Sequence, residues 1–298
     1  MNEFLNELSQ FGKVECNLPL SKMTTLRIGG NADYTVFPQN TVSLDSLVKL
    51  ITQYGYPYKI IGKGSNLLCS DDDFHGVIIR LDEFNDFYFV NNQIVAQAGC
   101  SIISLSYEAM KHGKSGLEFA SGIPGTVGGC TFMNAGAYKS SMSDVLDSVF
   151  VYRNGVFEWM SAADCEFSYR TSIFQKHPDW IVVAVKLNMI DKDVEEIRAL
   201  MDSRRERRMA SQPLDKPSAG SVFRNPESVP AWKLIEEIGY RGKKVGGAQV
   251  SEKHVNFIIN AGDATAADFL ELVHEIQEQV REKFGIELHL EVETFNWH

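Results

Sequence analysis

Four glycines and one proline stand within the eight residues Gly122 to Gly129: Gly122, Pro124, Gly125, Gly128 and Gly129. No ordinary helix interior or central strand holds that density. Glycine loses backbone entropy in either element, and proline removes a donor and clashes with the preceding turn. A solvent loop does not fit either, because Ile123, Val127, Phe132 and Met133 are interleaved in and just after the run. A stretch that is both glycine-rich and apolar reads as backbone packed closely on something flat or polyanionic, or else as a tightly packed internal turn. The flanking elements have to form a scaffold around it.

A second glycine run, Gly62-Lys63-Gly64-Ser65-Asn66, directly follows a short strand expected at Tyr58 to Ile61. Closely spaced glycines let the chain turn tightly and aim N–H groups at one point, a nest that binds phosphate without net positive charge. That property matters in this chain, whose 29 basic and 39 acidic residues leave a net charge of −10. Non-specific nucleic-acid binding needs phosphate neutralisation by Lys and Arg and is not expected. Any anionic ligand must be held by backbone N–H groups and a few local cations. Two nucleotide fingerprints fail: Leu67 stands where the dinucleotide pattern needs a third glycine, and the P-loop spacing is absent. A plain strand-to-loop turn is the other reading.

The 298 residues suggest two domains at about 150 residues each. Apolar spacing predicts helices over Ser43 to Tyr54, Ser101 to His112, Asp193 to Met209, Pro230 to Gly239 and Thr265 to Phe284. Gly55, Gly113 and Gly285 stop three of these, and Thr265 with Asp268 forms a capping-box-like start. Strands are expected at Val77 to Leu81, Ile181 to Leu187, Val255 to Ile259 and the strictly alternating Ile286 to Val292. Hairpins are expected around Asn91-Asn92 and Asn154-Gly155. Gly242, Gly246 and Gly247 read as a glycine-rich loop, and Ser211 to Gly220 as a domain boundary.

Five widely spaced cysteines with no C-x-x-C argue against a disulfide framework or zinc site and for a reducing compartment. Met1 to Phe11 has no apolar run, so no secretory signal is expected. Trp180 to Ile190, the longest apolar stretch, contains Lys186 and is too short to span a membrane. The expectation is a soluble cytoplasmic protein.

Three further places could carry chemistry. Arg170, in Tyr169-Arg170-Thr171-Ser172-Ile173-Phe174, is either a surface residue packing its stem or a carboxylate or phosphate clamp. Ser221, within Ser218 to Pro226, is no nucleophile elbow. It is a local backbone cap or a proton donor held against a reactive carbon. Glu287, His289, Glu291 and Glu293 share the polar face of the last alternating run, a solvated face or part of a ligand set without a second cluster. The arginines of the 193–209 helix are a solvated linker or an anion site.

Taken in order, these segments resemble the UDP-N-acetylenolpyruvoylglucosamine reductase family, flavoenzymes of bacterial cell-wall synthesis. The resemblance runs from about Leu18 to about Val292. It begins at Thr24-Thr25-Leu26-Arg27-Ile28-Gly29-Gly30-Asn31-Ala32 and passes through both glycine runs, Tyr169-Arg170 and Gly220-Ser221-Val222-Phe223 with Asn225-Pro226. It closes with Gly247-Ala248, Ser251, His254, Asn256-Phe257 and Glu291-Val292. It implies an α+β chain: an FAD-binding fold of the vanillyl-alcohol-oxidase type in two subdomains, 1–80 and 81–200, and a smaller substrate domain at 201–298. It implies non-covalent FAD, NADPH as co-substrate and no metal. Hydride passes from flavin N5 to C3 of UDP-N-acetylglucosamine enolpyruvate, and protonation at C2 gives UDP-N-acetylmuramate for peptidoglycan.

Site residues follow from the same resemblance. Arg170 and Glu291 polarise the substrate carboxylate and stabilise the developing enol, and Ser221 donates the proton. Gly62, Lys63, Gly64, Ser65, Asn66 and Leu67 cradle the FAD pyrophosphate. Ala120, Ser121, Gly122, Ile123, Pro124, Gly125, Thr126, Gly128 and Gly129 lie along the flavin, with Asn134, Gly136, Ala137 and Val182 completing the cofactor site. Lys216, Arg224, Asn225 and Tyr240 are expected to meet UDP and its pyrophosphate. No tyrosine occurs from Thr171 to Gly220, which matches a shorter form of the family without a tyrosine-bearing loop over the substrate. A monomer without membrane or nucleic-acid partners is expected. Two other readings stand beside this one: a different FAD oxidoreductase of the same fold, and a nucleotide-binding protein without activity.

Overall fold

A computed structural model describes residues 3–297 of the chain. Its helices are α1 (Glu3–Leu8), α2 (Thr41–Tyr54), α3 (Ile102–Lys111), α4 (Val127–Phe132), α5 (Ile173–Lys176), α6 (Val194–Ser211), α7 (Ala231–Glu237) and α8 (Ala266–Phe284). Helices and largely antiparallel sheets are mixed, the α+β class expected. The chain forms two compact units, each gathered from separate stretches. The first takes the described residues of Met1–Cys16, then Tyr34–Lys63 and His75–Arg207. The second takes Asn17–Asp33, Gly64–Phe74 and the described residues of Arg208–His298.

The first unit is organised by two sheets. One has the order Gly12–Pro19, Asn31–Pro38, Phe74–Ile79, Tyr58–Ile60, and its last two strands run parallel. The other is antiparallel, in the order Val156–Ser161, Leu146–Arg153, Ile181–Asn188, Gln93–Gln97, Phe87–Val90. Asn154 and Gly155 take positive φ, 52° and 78°, so the chain reverses tightly and Arg153 faces Val156. These are the signs a primed turn needs to match strand twist. Asn40 caps α2 through a reciprocal bond with Ser43, and Gly55 closes it in the left-handed region. Leu44, Leu47 and Ile51 on its inner face are fully buried against Val36, Val77 and Ile79.

The second unit has its own core around α8, whose Phe269, Leu272, Val273, Ile276 and Val280 are buried at helical spacing. Thr265 and Asp268 form the expected capping box, and Gly285 ends the helix at φ 67°. A three-stranded antiparallel sheet, Lys244–Val245, Ala248–Val250 and Ile258–Asn260, packs there. Strand Glu293–Phe295 pairs in parallel with Leu67–Cys69.

Three expectations are corrected. The glycine-rich loop at 242–247 is a hairpin turning at Gly246-Gly247, with Val245 facing Ala248. The strand expected from Val255 begins at Ile258, because the N–H of Phe257 turns back to the carbonyl of His254 at 3.0 Å. Ile286 to Val292 is not a strand: its ladder is one bridge, Phe223 to Leu290. Leu288 and Val292 are nevertheless buried, and Glu287 and His289 exposed. Alternation there records one covered face, while the short partner segment cannot supply a ladder. No helix among the described residues is long and apolar enough to cross a membrane.

Candidate active site

In the first unit Gly62 meets the Gly122–Gly129 run. A Cβ on Gly62 would lie 2.5 Å from Thr126 Oγ1, so only glycine lets the loop approach there. Thr126 caps α4 by accepting the N–H of Gly129 at 3.2 Å. The N–H groups of Val127 and Gly128 donate to the carbonyls of Cys100 and Ala98, at 2.9 and 2.8 Å. A Cβ on Gly128 would stand 2.8 Å from that of Ala98. Ser121 Oγ donates to the carbonyl of Glu118 at 3.0 Å, and Ala120 is fully buried. One edge of the segment is thus fastened to its own scaffold. Gly122, Ile123, Pro124 and Gly129 keep their exposure, while Gly125, Thr126 and Val127 are buried. Val182 lies buried in the antiparallel sheet, opposite Val151.

Arg170 occupies the left-handed region, at φ 56°, in a turn where Ser168 and Thr171 exchange two backbone bonds of 3.1 Å. Its Nη2 donates to the carbonyl of Gly136 at 2.7 Å. Gly136 and Ala137 pair with Ser141 and Ser140 in a small hairpin. Asn134, buried and at φ 42°, ties these pieces together. Its Nδ2 donates to the carbonyl of Ser168 at 2.8 Å, and its Oδ1 accepts the N–H of Ser143 at 3.0 Å. Beneath them the thiol of Cys130 is pushed up to about 12 by burial, against the opposing pull of Arg170.

In the second unit a short backbone pairing gathers several expected residues. The N–H of Glu291 donates to the carbonyl of Val222 at 2.8 Å, and that of Arg224 to the carbonyl of His289 at 2.9 Å. Ser221 therefore sits one residue from the backbone contact of Glu291. Asn66 Nδ2 donates to the carbonyl of Glu291 at 3.0 Å, which brings Asn66 into the group. Gly64 is buried at φ 59°, and a Cβ there would lie 2.3 Å from the carbonyl oxygen of Met23.

Three expected substrate contacts stand in different surroundings. Lys216 is exposed. Asn225 Oδ1 accepts the N–H of Ala231 at 3.0 Å, at the start of α7. Tyr240 lies under Lys243, whose Nζ donates to its hydroxyl at 3.2 Å and pairs with Glu275, raising the lysine's pKa.

Sequence reasoning passed over Asn256 as a site residue. It is buried, accepts the N–H of Phe223 at 3.0 Å and returns its Nδ2 to the carbonyl of Phe223 at 2.9 Å. It fixes the segment that carries Ser221 as a neighbouring strand would. An amide between apolar Val255 and Phe257 was the available signal, since a buried amide must find partners.

These residues fit a flavin dinucleotide. Among the described residues, the backbone N–H groups of Gly62, Lys63, Gly64 and Ser65 donate to no protein acceptor. Such donors suit a pyrophosphate in an acidic protein. The exposed edge of the glycine-rich segment offers a side-chain-poor surface on which a flat ring can lie.

The chain is 42% identical over 297 residues to UDP-N-acetylenolpyruvoylglucosamine reductase 1 of Bacillus anthracis, spanning 98% of this chain and 99% of the relative. The chain belongs to the UDP-N-acetylenolpyruvoylglucosamine reductase family. The Bacillus subtilis (strain 168) reductase is 40% identical over 98% of each chain. Residues 212–295 match the model of the reductase's C-terminal domain, and residues 32–158 match that of an FAD-binding domain. The crystal structure of the reductase from Thermus caldophilus superposes with a TM-score of 0.83 at 36% identity, covering 96% of this chain and 100% of the other. Within this reductase family, the C-terminal match covers Ser221, Asn256 and Glu291, and the FAD-binding match covers both glycine runs.

Proposed function

We propose that the chain catalyses the NADPH-dependent, FAD-mediated reduction of UDP-N-acetylglucosamine enolpyruvate to UDP-N-acetylmuramate, a step of peptidoglycan synthesis. FAD, when bound, supplies the hydride that adds to C3 of the enolpyruvyl group, and NADPH supplies the electrons. The chain's own residues do the rest. Gly62 to Leu67 hold the pyrophosphate through backbone N–H groups, and the Ala120–Gly129 run, with Asn134, Gly136, Ala137 and Val182, shapes the cofactor's place.

Addition at C3 puts negative charge on C2 and its carboxylate. Arg170 lowers the barrier as a cation fixed before the reaction begins. Ser221 gives its hydroxyl proton to C2. A serine is a weak acid in water, but beside a strongly basic carbon and in fixed geometry it suffices. Glu291 meets the same carboxylate, and Lys216, Arg224, Asn225 and Tyr240 take the UDP moiety. The observation that supports Ser221 and Glu291 working as a pair is the 2.8 Å bond from the N–H of Glu291 to the carbonyl of Val222. The same reading makes the protein a cytoplasmic monomer.

The test is a visible spectrum of the purified protein, followed anaerobically. Flavin bands should bleach with NADPH and return on addition of UDP-N-acetylglucosamine enolpyruvate. Flavin that bleaches but is not restored by that sugar would point to another acceptor. A protein that takes up no FAD would overturn the reading.

A further inference from the structure

We propose that Gln175 is a positioning residue for Arg170, an inference that rests on the reading of Arg170 as the cation facing the substrate carboxylate. Arg170 stands in the left-handed region, at φ 56°, in a turn closed by the two Ser168–Thr171 backbone bonds. A bulky side chain in that region is strained and persists where its surroundings over-determine it. The side chain of Gln175, on the four-residue α5, supplies such a constraint.

Gln175 Nε2 donates to the carbonyl of Arg170 at 3.1 Å and to the carbonyl of Phe132 at 3.2 Å, and it lies 3.6 Å from Met133 Sδ. All three neighbours are acceptors, so the amide must present its nitrogen to them. Phe132 ends α4, where the last carbonyls lack intrahelical donors. Fully buried Ser172 donates its Oγ to the same Phe132 carbonyl at 2.6 Å. One primary amide therefore ties the backbone of Arg170 to the end of the helix that continues the glycine-rich segment. The guanidinium is held separately, by the carbonyl of Gly136. Gln175 sets where the arginine departs from the backbone, and Gly136 sets where it arrives.

Preorganised charge acts only from the right place, and a misplacement of about 1 Å can cost roughly 10²-fold in rate. The experiment compares Gln175→Leu with Gln175→Lys in the flavin-loaded enzyme. Leucine keeps the bulk and loses both donors. Lysine restores donors, and its charge suits a helix C-terminus.

Q175L should slow flavin reoxidation by UDP-N-acetylglucosamine enolpyruvate by about tenfold or more, with reduction by NADPH little changed. Q175K should recover most of that loss. By calorimetry, Q175L should bind UDP-N-acetylmuramate, which carries the carboxylate, more weakly, and UDP-N-acetylglucosamine, which lacks it, as before. Should Q175L not fold, Q175E serves in its place. Equal slowing of both half-reactions, failure of lysine to restore, or equal weakening for both nucleotide sugars would overturn the proposal. Arg170→Ala is measured alongside. If it leaves reoxidation intact, the reading of Arg170 fails and the proposal with it. If it slows reoxidation while Q175L does not, only the role of Gln175 falls.

Discussion

Both carboxylate oxygens of Asp71 accept the backbone N–H of Ala266, each at 2.9 Å, and one also accepts that of Ala267 at 3.3 Å. Asp71 thus supplements the capping box at the start of α8 from a distant part of the chain. It also places a negative charge at the positive end of the helix.

Asp71→Ala should therefore destabilise the protein by about 1 kcal/mol, the usual loss for an N-terminal cap. Asp71→Asn, which keeps an acceptor, should lose less. Urea midpoints of the three proteins check this. An unchanged midpoint in the alanine variant would remove Asp71 from the account of α8.

Ser221→Ala should slow substrate reduction by about 10² or more, the range for loss of a general acid, while flavin reduction by NADPH stays nearly intact. Stopped-flow measurement of the two half-reactions separates these effects. Equal loss in both would sink the assignment of Ser221 as proton donor.

Thiol chemistry should be confined to one position. Cys16 is exposed, whereas Cys69, Cys100, Cys130 and Cys165 are buried. Burial pushes Cys100 up to about 11, and Cys130 and Cys165 to about 12. Reactivity follows the thiolate, so a thiol reagent near pH 8 should label one cysteine quickly in the folded protein and all five after denaturation. Cys16→Ser should abolish the fast phase. Rapid labelling of that variant would contradict the burial.

Acid should weaken the fold partly through His254. Burial lowers its pKa, and its ring stands edge-on to Phe257 at 5.0 Å. A histidine depressed in the folded state binds its proton more readily when unfolded. Its contribution is constant above the unfolded value near 6.5, and stability is lost as pH falls from there through the folded value. His254→Gln should flatten that part of the pH profile, read as urea midpoints from pH 8 down to about pH 5. Parallel profiles for the two proteins would dismiss the effect.

What could be read beforehand was whatever depended on near neighbours. The capping box of Thr265 and Asp268, the left-handed stops at Gly55 and Gly285, and the Asn154-Gly155 turn each involve residues a few positions apart. Both glycine runs were recognisable as irregular. Their contact through Gly62 and Thr126 was not, because sequence spacing says nothing of which loops meet. Asp71 was invisible as a cap for the same reason. Over Ile286 to Val292 the pattern reported burial correctly and hydrogen bonding wrongly, since alternation marks a covered face and not the partner that would complete a ladder. Asn225, expected against the substrate, already spends its Oδ1 on α7, a bond that no motif announces.

The parallel pairing of Leu67–Cys69 with Glu293–Phe295 also sets an order on the chain's birth. During synthesis the first of these strands leaves the ribosome long before its partner exists, and all three of its residues are apolar and buried in the finished protein. Long-range pairings of this kind form late and leave apolar edges open in the meantime. The second unit cannot close until Glu293–Phe295 has been made, so the nascent chain carries a sticky, unpaired strand while all the residues between the two strands are synthesised.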